Sequence, residues 1–348
     1  MPDIAFSPHR SRMTEQPFSP STVLAYVGVD FIGDALMKLP FVVSLRHAFP
    51  DARITWLAGK GRTVFRRELA PLAQGLLDEV IEEAGIGSHW SEIASRPLDG
   101  RRFDLVIDTQ RRLFTTLLLR RIRARRFVSS AANFLLSDVR PPRGYRRPPE
   151  LIRQLLDLVD LAAGRRIEAP RFRLRDEAAL AAAARLLPDG IVHVGFVPGS
   201  SAGRAEKRWP LDRYVELARR QQTRGRVPVF VLGPEEAAWR ADIEAAVPGA
   251  RFPLQDPCEG GHMGPLLTIA LAGRLQAAVS NDSGGGHLVA TGGAPMVSLW
   301  GPSVMAKAPP QSPRLITVDA REFASTSMDA IPIERVDAAL ETLLAAPR

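Results

Sequence analysis

Apolar runs typical of strands alternate with helical patterns along almost the whole chain, and this alternation constrains the fold more than any other feature. In the first half, strands are predicted at 22–28, 53–58, 103–108 and 126–128, and helices at 34–48, 113–122, 150–163 and 176–187. The second half continues with strands at 191–197, 227–232, 276–280 and 295–299, and helices at 211–223, 235–246 and 264–273. Such alternation is typical of parallel sheets covered by helices on both faces. The sequence therefore predicts an α/β fold.

The chain is too long for a single core. Its 348 residues exceed the usual size of one domain, and the Pro- and Arg-rich stretch at 140–149 interrupts the alternation. We predict a first domain over residues 22–170 and a second over 171–330. Residues 331–348 are predicted to form a C-terminal helix that packs back on the first domain. Residues 1–21 are polar and lack the apolar core of a secretory signal, so they are predicted to be a disordered extension.

Composition excludes several classes of protein. The single cysteine, Cys258, rules out a disulfide framework and a cysteine-based metal cage. An apolar content of 45% and a charged content of 24% are typical of a soluble globular protein. No uncharged apolar stretch approaches the roughly 20 residues that span a bilayer. We therefore expect a cytoplasmic protein.

Positive charge is concentrated in one segment. The chain carries a net charge of +8, but residues 96–153 alone contain 15 arginines against 5 acidic residues. This excess fits a solvated surface, an anionic inner-membrane surface on which the protein is peripheral, or a phosphorylated acceptor. Nucleic acid is the weakest alternative, because the segment has few aromatics for base stacking and no nucleic-acid motif. We expect no nucleic-acid partner.

Three consecutive glycines lie at a predicted strand-to-helix junction. Residues 281–288 read NDSGGGHL and follow the strand at 276–280. Glycines at such a junction let the backbone approach a ligand closely, and the free N–H groups of the helix that follows favour a phosphate. A tight turn also requires glycine, so this junction alone leaves both readings open.

A second loop suited to anions follows an earlier strand. Residues 198–210 read PGSSAGRAEKRWP, between the strand at 191–197 and the helix at 211–223. The loop offers two hydroxyls from Ser200 and Ser201 and the ammonium of Lys207. In open α/β sheets ligands bind beyond the carboxyl ends of the strands. Both loops would lie there, and together they predict a nucleotide-phosphate site.

These segments resemble glycosyltransferase family 9, the ADP-heptose:lipopolysaccharide heptosyltransferases. The matching pieces occur in the family's order at 33–40 (GDALMKLP), 49–50 (FP), 54–57 (ITWL), 198–201 (PGSS), 207–210 (KRWP), 232–235 (LGPE), 281–288 (NDSGGGHL) and 301–303 (GPS). The resemblance implies a GT-B fold, in which two Rossmann-like domains face a central cleft. It implies an inverting enzyme that moves a heptose, or a related sugar, from an ADP-sugar to a lipopolysaccharide core or another surface glycan.

The resemblance assigns the general base to Asp34. A carboxylate after Gly33, at a strand-loop-helix junction facing the cleft, can accept the proton of an acceptor hydroxyl. From its residue type alone, Asp34 fits the N-cap or first turn of a helix equally well. As ADP leaves, its growing negative charge would be stabilised by Lys207, by the hydroxyls of Ser200 and Ser201 and by the N–H groups of residues 284–287. We expect no metal ion and no cofactor beyond the nucleotide-sugar donor.

The remaining donor-side residues have less specific roles. Glu235 follows a strand end and fits a ribose hydroxyl, or simply the start of a helix. Asp282 fits a structural anchor or a sugar-hydroxyl acceptor, because a carboxylate repels phosphate. His287 fits a phosphate ligand or a helix cap. The predicted donor-binding set is Ser200, Ser201, Lys207, Glu235, Asp282, Ser283, Gly284, Gly285, Gly286 and His287.

Cations after the second strand fit an acceptor that is an anionic glycolipid or glycan. Lys60 and Arg62 are the candidates, although an exposed helix face explains them as well. Two other functions stay open at this point. One is a GT-B enzyme that uses a different nucleotide sugar, as a transferase or an epimerase. The other is a non-enzymatic nucleotide-binding protein associated with membranes.

Overall fold

The computed structural model describes residues 18–87, 92, 97–200, 203–256, 264–303 and 308–346. Residues 1–17, which make up most of the predicted extension, lie outside this described part, as does Ser201. The chain divides into two compact units, one ending at Phe172 and the other beginning at Arg173.

Five parallel strands form the sheet of the first unit. They are β1 (Thr22–Val27), β2 (Arg53–Ala58), β3 (Glu79–Ile81), β4 (Arg102–Asp108) and β5 (Arg123–Ser129). Their order in the sheet is β3-β2-β1-β4-β5. The helices of this unit are α1 (Ile32–Ala48), α2 (Ala70–Ala73), α3 (Leu113–Leu119) and α4 (Leu151–Ala163). The predicted α/β class with parallel sheets is confirmed.

The core of the first unit is formed by aromatic side chains on both faces of the sheet. Trp56 of β2 packs against Phe41 of α1 and edge-on against Phe65, with ring centroids 6.3 and 5.5 Å away. On the opposite face, Tyr26 and Phe127 lie in a cluster with buried leucines of α3. Burial on both faces explains why these strands read as continuous apolar runs.

The second unit has a sheet of the same kind. Its parallel strands are β6 (His193–Val197), β7 (Val227–Phe230), β8 (Ala277–Asn281), β9 (Met296–Trp300) and β10 (Leu315–Asp319), in the order β10-β9-β8-β6-β7. The helices are α5 (Glu177–Leu186), α6 (Leu211–Thr223), α7 (Arg240–Ala246), α8 (Gly264–Ala272), α9 (Gly284–Thr291) and α10 (Ile333–Ala345). Phe230 stacks between Phe196 and Phe252, at centroid distances of 5.3 and 5.8 Å, and forms the centre of one core.

Several boundaries differ from the sequence-based prediction. Helix α1 begins at Ile32, two residues early, so Gly33 and Asp34 lie in its first turn. Helix α9 begins at Gly284, which places the three glycines inside the helix rather than in a loop before it. Strands β3 and β10 were missed, because their side chains are mostly half-buried and leave no continuous apolar run.

Helix α10 confirms the predicted C-terminal helix and contacts β8, β9, β10 and α6 within its own unit. The buried side chains of Val336, Leu340 and Leu343 form its apolar face. Packing of this helix on the first domain stays a prediction. In the described part of the chain, no helix is long and apolar enough to cross a membrane.

Candidate functional site

Each sheet has a switch point, where the connections on either side of one strand run in opposite directions. In the first unit it lies between β1 and β4, and in the second between β6 and β8. Loops that leave such neighbouring strands diverge and open a crevice at the carboxyl edge of the sheet. The predicted phosphate loops follow β6 and β8, and Asp34 follows β1.

Asn281, the last residue of β8, ties the two loops of the second unit together. Its Nδ2 donates to the carbonyl oxygens of Pro198 at 2.8 Å and Gly199 at 3.3 Å. Its Oδ1 accepts from the backbone N–H of Trp209 at 3.1 Å and from the Tyr214 hydroxyl at 3.0 Å. Asn281 is fully buried, so each lost partner would leave a buried polar group unsatisfied, at about 1–3 kcal/mol.

Lys207 and Asp282 form a mostly buried ion pair at the mouth of this crevice. Lys207 Nζ lies 2.6 Å from Asp282 Oδ2, and the two side chains are only 16% and 17% exposed. An ammonium has three N–H donors, and this contact uses one of them. The structure therefore brings two predicted donor-binding residues into direct contact and gives Asp282 the role of anchoring the lysine.

The first turn of α9 offers fewer free N–H groups than the sequence predicts. The Ser283 hydroxyl caps the helix by accepting from Gly286 N at 3.1 Å, and His287 N donates to the Ser283 carbonyl at 3.2 Å. Gly284 and Gly285 have no such acceptor in the described structure. Two backbone N–H groups, rather than the predicted four, thus remain for an anion.

Close packing explains two of these glycines. A Cβ at Gly285 would lie 2.9 Å from Val197 Cγ1, and one at Gly286 would lie 2.5 Å from Ser280 Oγ. Both distances are shorter than real Cβ contacts. The glycines therefore let α9 start directly above β6 and β8, and His287 is buried one residue further on.

The loop after β7 holds a buried acid, Glu236, next to the predicted Glu235. Glu235 is exposed, and its carboxylate lies 4.0 Å from Arg208 Nη2. Glu236 is only 5% exposed, and Arg208 Nη2 donates to it at 3.4 Å. A Cβ at Gly199 or Gly233 would come within 2.8 Å of the Glu236 carboxyl group.

Glycines at both strand ends therefore make room for the Glu236 carboxylate, and they are the signal that could have identified it. Arg208 also lies over the Trp239 ring, with 5.2 Å between its Cζ and the ring centroid. Its Nε donates to the Ser200 hydroxyl at 3.0 Å, while that hydroxyl donates to the Arg204 carbonyl at 3.0 Å. Ser200 is thus part of the loop's own hydrogen bonding.

In the first unit, Asp34 is exposed in the first turn of α1. Phe31 occupies the N-cap position, and no side chain caps this helix. Of the two alternative roles, the N-cap is therefore wrong, and the first-turn acid is confirmed. Among the described residues, no hydrogen-bond or ion-pair partner holds its carboxylate, so it remains available to a ligand.

A buried carboxylate four residues before Asp34 was missed. Asp30 accepts from Trp56 Nε1 at 2.9 Å and from Thr63 Oγ1 at 3.2 Å, and it pairs with the buried Lys38. The pair joins the loop after β1 to the second turn of α1. It fixes the backbone on which Asp34 is placed.

Asp108 ends β4 and is fully buried. Its carboxylate accepts from Thr116 Oγ1 at 2.6 Å, Ser129 Oγ at 2.9 Å and Gln110 N at 2.8 Å. Burial is the largest influence and raises the pKa of Asp108 to about 6, although the three hydrogen bonds oppose it. The bond to Gln110 N orders the loop that begins after β4.

That loop forms one wall of a cavity of about 300 Å³, lined by Lys38, Thr109, Gln110, Arg111, Arg112 and Leu155. Arg111 and Arg112 are exposed, and neither pairs with a carboxylate in the described structure. Burial, and next the nearby Arg112 guanidinium, lower the pKa of Lys60. Lys60 thus belongs to the same cationic region, whereas Arg62 forms an exposed ion pair with Glu83 at 3.2 Å.

The described residues contain no group of three or more His, Cys, Asp or Glu side chains that could hold a metal ion.

The sequence profile described as glycosyltransferase family 9 (heptosyltransferase) matches residues 94–330. This span includes the phosphate loops of the second unit and begins after Asp34 and Lys60. A lipooligosaccharide heptosyltransferase 2 from Haemophilus influenzae is 31% identical over 121 residues, which are 34% of each chain. The chain therefore aligns with about a third of the length of this curated relative.

Two solved structures share the fold over most of the chain. The glycosyl transferase family 9 protein from Veillonella parvula has a TM-score of 0.69 and 21% identity, covering 93% of this chain and 97% of that one. The ADP-heptose lps heptosyltransferase II from E. coli has a TM-score of 0.63 and 20% identity, covering 93% and 98%. The fold is GT-B, with two Rossmann-like α/β units, as predicted.

Proposed function

Because the chain belongs to glycosyltransferase family 9, we propose that it is an inverting glycosyltransferase that moves a heptose, or a related sugar, from an ADP-sugar to a lipopolysaccharide core or another surface glycan. The observation that carries this proposal is the switch point of the second unit. There Asn281 joins two loops that supply a lysine and two free backbone N–H groups, which are suited to bind an anion.

The donor diphosphate is assigned to Lys207 and to the N–H groups of Gly284 and Gly285. Lys207 keeps two N–H donors beyond its bond to Asp282. The two glycine N–H groups add the positive end of the α9 dipole. These groups are held in place before any ligand arrives, so they can stabilise the charge on the leaving diphosphate without reorganising. We propose that this set needs no metal ion.

Asp34 is assigned as the general base. The acceptor hydroxyl oxygen attacks the anomeric carbon and gives its proton to the Asp34 carboxylate. The bond from that carbon to the diphosphate oxygen breaks, and ADP leaves with the electron pair from the opposite face. Because the acceptor oxygen bonds to the anomeric carbon on the face opposite the departing diphosphate oxygen, the anomeric configuration inverts. The Asp34 carboxylate has no partner in the described structure, and this supports the assignment because the carboxylate can accept a hydrogen bond from an acceptor hydroxyl.

The cations of the first unit fit an anionic acceptor. Arg111 and Arg112 lack carboxylate partners in the described structure, and Lys60 lies near Arg112. Phosphate or carboxylate groups on a glycolipid core would supply the missing negative charge. We therefore propose an anionic glycolipid as the acceptor, and we expect the enzyme to meet it at the inner face of the cytoplasmic membrane.

A thermal-shift panel tests the donor. ADP and ADP-heptose should stabilise the protein more than UDP, GDP and their sugars. A nucleotide at 100 times its Kd should add about 2.7 kcal/mol to the free energy of unfolding. A larger shift with a UDP-sugar would overturn the ADP assignment and point to a different GT-B enzyme. Donor turnover without any acceptor would indicate an epimerase.

A further inference from the structure

The outward face of α3 combines apolar and basic side chains. Leu113 and Leu117 are 53% and 49% exposed, far more than most leucines of the described structure. They lie four residues apart, so they are neighbours on one face of the helix. Arg120 and Arg121 continue that face at the end of the helix, and both are exposed. An apolar surface that is bordered by arginines is therefore exposed to solvent.

The arginines at the end of this face surround a second cavity. It has a volume of about 430 Å³ and is lined by Arg120, Arg121, Arg123, Arg125, Phe127 and Asp138. It lies where β5 begins, at the amino edge of the sheet, whereas Asp34 and Asp108 lie at the carboxyl edge. The cavity is thus separate from the candidate site of the first unit.

Positive charge in this cavity is only partly compensated. Asp138 pairs with Arg120 at 2.7 Å, and Asp104 pairs with Arg125 at 3.3 Å. Arg121 and Arg123 have no carboxylate partner in the described structure.

Moreover, Arg123 lies directly opposite Arg102 in the register of β4 and β5. Like charges facing each other across neighbouring strands destabilise a sheet. The pairing of Arg123 with Arg102 therefore does not stabilise the fold. A negatively charged partner would neutralise these arginines and so accounts for their presence.

We propose that the α3 face, made of Leu113, Leu117, Arg120, Arg121 and Arg123, docks on an anionic phospholipid surface. The leucines enter the boundary between headgroups and acyl chains, and the arginines bind lipid phosphates. Apolar leucines are of no use to a nucleic acid, and the exposed part of this face has no aromatic side chain for base stacking.

The position of the face also suits its purpose. Helix α3 begins directly after Arg111 and Arg112, which line the cavity beside the candidate acceptor site. Docking α3 on the bilayer places that cavity next to lipid-linked molecules. This last step rests on the proposed function. Vesicle binding itself requires no glycosyl transfer, so failure of either proposal is recognised separately.

The test is co-sedimentation of the full chain with phosphatidylcholine vesicles, with and without phosphatidylglycerol. Binding should require phosphatidylglycerol and should fade above physiological salt, where the Debye length falls below about 8 Å. Replacing Arg121 and Arg123 with glutamine should weaken binding about 25-fold, since each arginine contributes about fivefold. Leu117→Ser should weaken it about fivefold.

Matched variants in the second unit control for net charge and for exposed apolar area. Arg173 and Arg175 are exposed, and replacing both with glutamine removes the same charge. Leu180 is 42% exposed, close to Leu117, so Leu180→Ser is its counterpart. Both controls should bind vesicles like the unmodified protein. Circular dichroism checks that every variant is folded, as expected for exposed positions.

Equal binding to both lipid compositions would overturn the proposal, and so would equal losses in the test and control variants. If Leu117→Ser binds vesicles as strongly as the unmodified protein, the leucines do not contribute to binding and the proposed docking face is wrong. Binding to a single-stranded oligonucleotide as strong as to anionic vesicles, at matched phosphate concentration, would assign the arginines to nucleic acid instead.

Discussion

Carboxylates at the carboxyl edges of the two sheets have different partners. In the second unit, each acid at the switch point is held by a cation: Asp282 by Lys207 and Glu236 by Arg208. In the first unit, Asp30 is likewise paired with Lys38, but Asp108 has only hydroxyl and amide donors, and the Asp34 carboxylate has no partner in the described structure. The strands β4 and β8 occupy equivalent positions beside β1 and β6, so topology does not cause this difference.

This difference suits a preorganised binding site in the second unit and a reacting carboxylate in the first. Paired acids in the second unit hold Lys207 and Arg208 in place. In the first unit the exposed Arg111 and Arg112 have no carboxylate partner in the described structure, and the Asp34 carboxylate is left available. We infer that the second unit supplies fixed groups for the donor, whereas the first unit supplies the base.

The strongest way to break this comparison is Asp34→Asn. The substitution keeps size and most hydrogen bonding but removes the base, so transfer should fall by about 10²–10⁴-fold while ADP affinity stays nearly unchanged. Single-turnover rates beside nucleotide titrations measure both quantities. Asp212→Asn is the matched control, because Asp212 is likewise an exposed acid in the first turn of a helix, α6.

Asp282→Asn sharpens the same test. It removes an acid that already has a cationic partner, so the chemical step should slow much less than in Asp34→Asn. Near-full turnover by Asp34→Asn with a competent acceptor would show that the base lies elsewhere. A larger loss of the chemical step in Asp282→Asn would reverse the roles given to the two units.

Sequence reasoning predicted the alternating elements because each is carried by a local pattern. Strands such as β1 and β6 are continuous apolar runs, and the glycine-rich junction at 281–288 marks a strand end. The sequence also placed Lys207 and Asp282 in one binding site. Their direct contact was not foreseen, because 75 positions separate them and no local pattern records which side chains meet.

The errors have physical causes as well. Glu236 was missed beside its neighbour Glu235, because only the space left by Gly199 and Gly233 shows which of these two acids is buried. The first turn of α9 was placed in a loop because glycine is a poor helix former. The burial of Asp30 depends on Lys38, Trp56 and Thr63 from three different elements. No local sequence pattern around Asp30 therefore predicts that its carboxylate is buried.

Asp108 is buried without a cationic partner, and this predicts that the free energy of unfolding depends on pH. Its pKa in the folded state is about 6, above the value near 3.9 of an unfolded chain. Folding therefore favours the protonated form, so this stabilisation is complete below pH 4 and is lost as pH rises through about 6. The loss amounts to about 3 kcal/mol.

Asp108→Asn measures that loss. Urea unfolding of both proteins at several pH values gives the difference in their free energies of unfolding. Relative to the variant, the unmodified protein should lose about 3 kcal/mol between pH 4 and pH 7. A difference that stays constant across this range would mean that Asp108 ionises normally, and that the acids of the two units do not differ as described.

The smallest expected effect concerns the Lys207–Asp282 pair, and it tests whether the second unit is a preorganised binding site. Lys207→Ala deletes the ammonium and leaves the Asp282 carboxylate unpaired beside the proposed diphosphate site. ADP should bind about tenfold more weakly, close to 1.4 kcal/mol, as for a lost hydrogen bond to a charged group. Transfer should slow as well, because negative charge on the leaving group grows in the transition state.

Adding Asp282→Ala to Lys207→Ala removes the repelling carboxylate, so ADP affinity should recover about threefold relative to the single variant. Calorimetric titration of the four proteins in this cycle measures the coupling. Recovery would show that the Asp282 carboxylate repels the diphosphate once Lys207 no longer neutralises it. Normal ADP binding by Lys207→Ala would show that residues 198–210 do not hold the phosphates. Further weakening in the double variant would make Asp282 a direct ligand of the donor, and the two units would then use their acids alike.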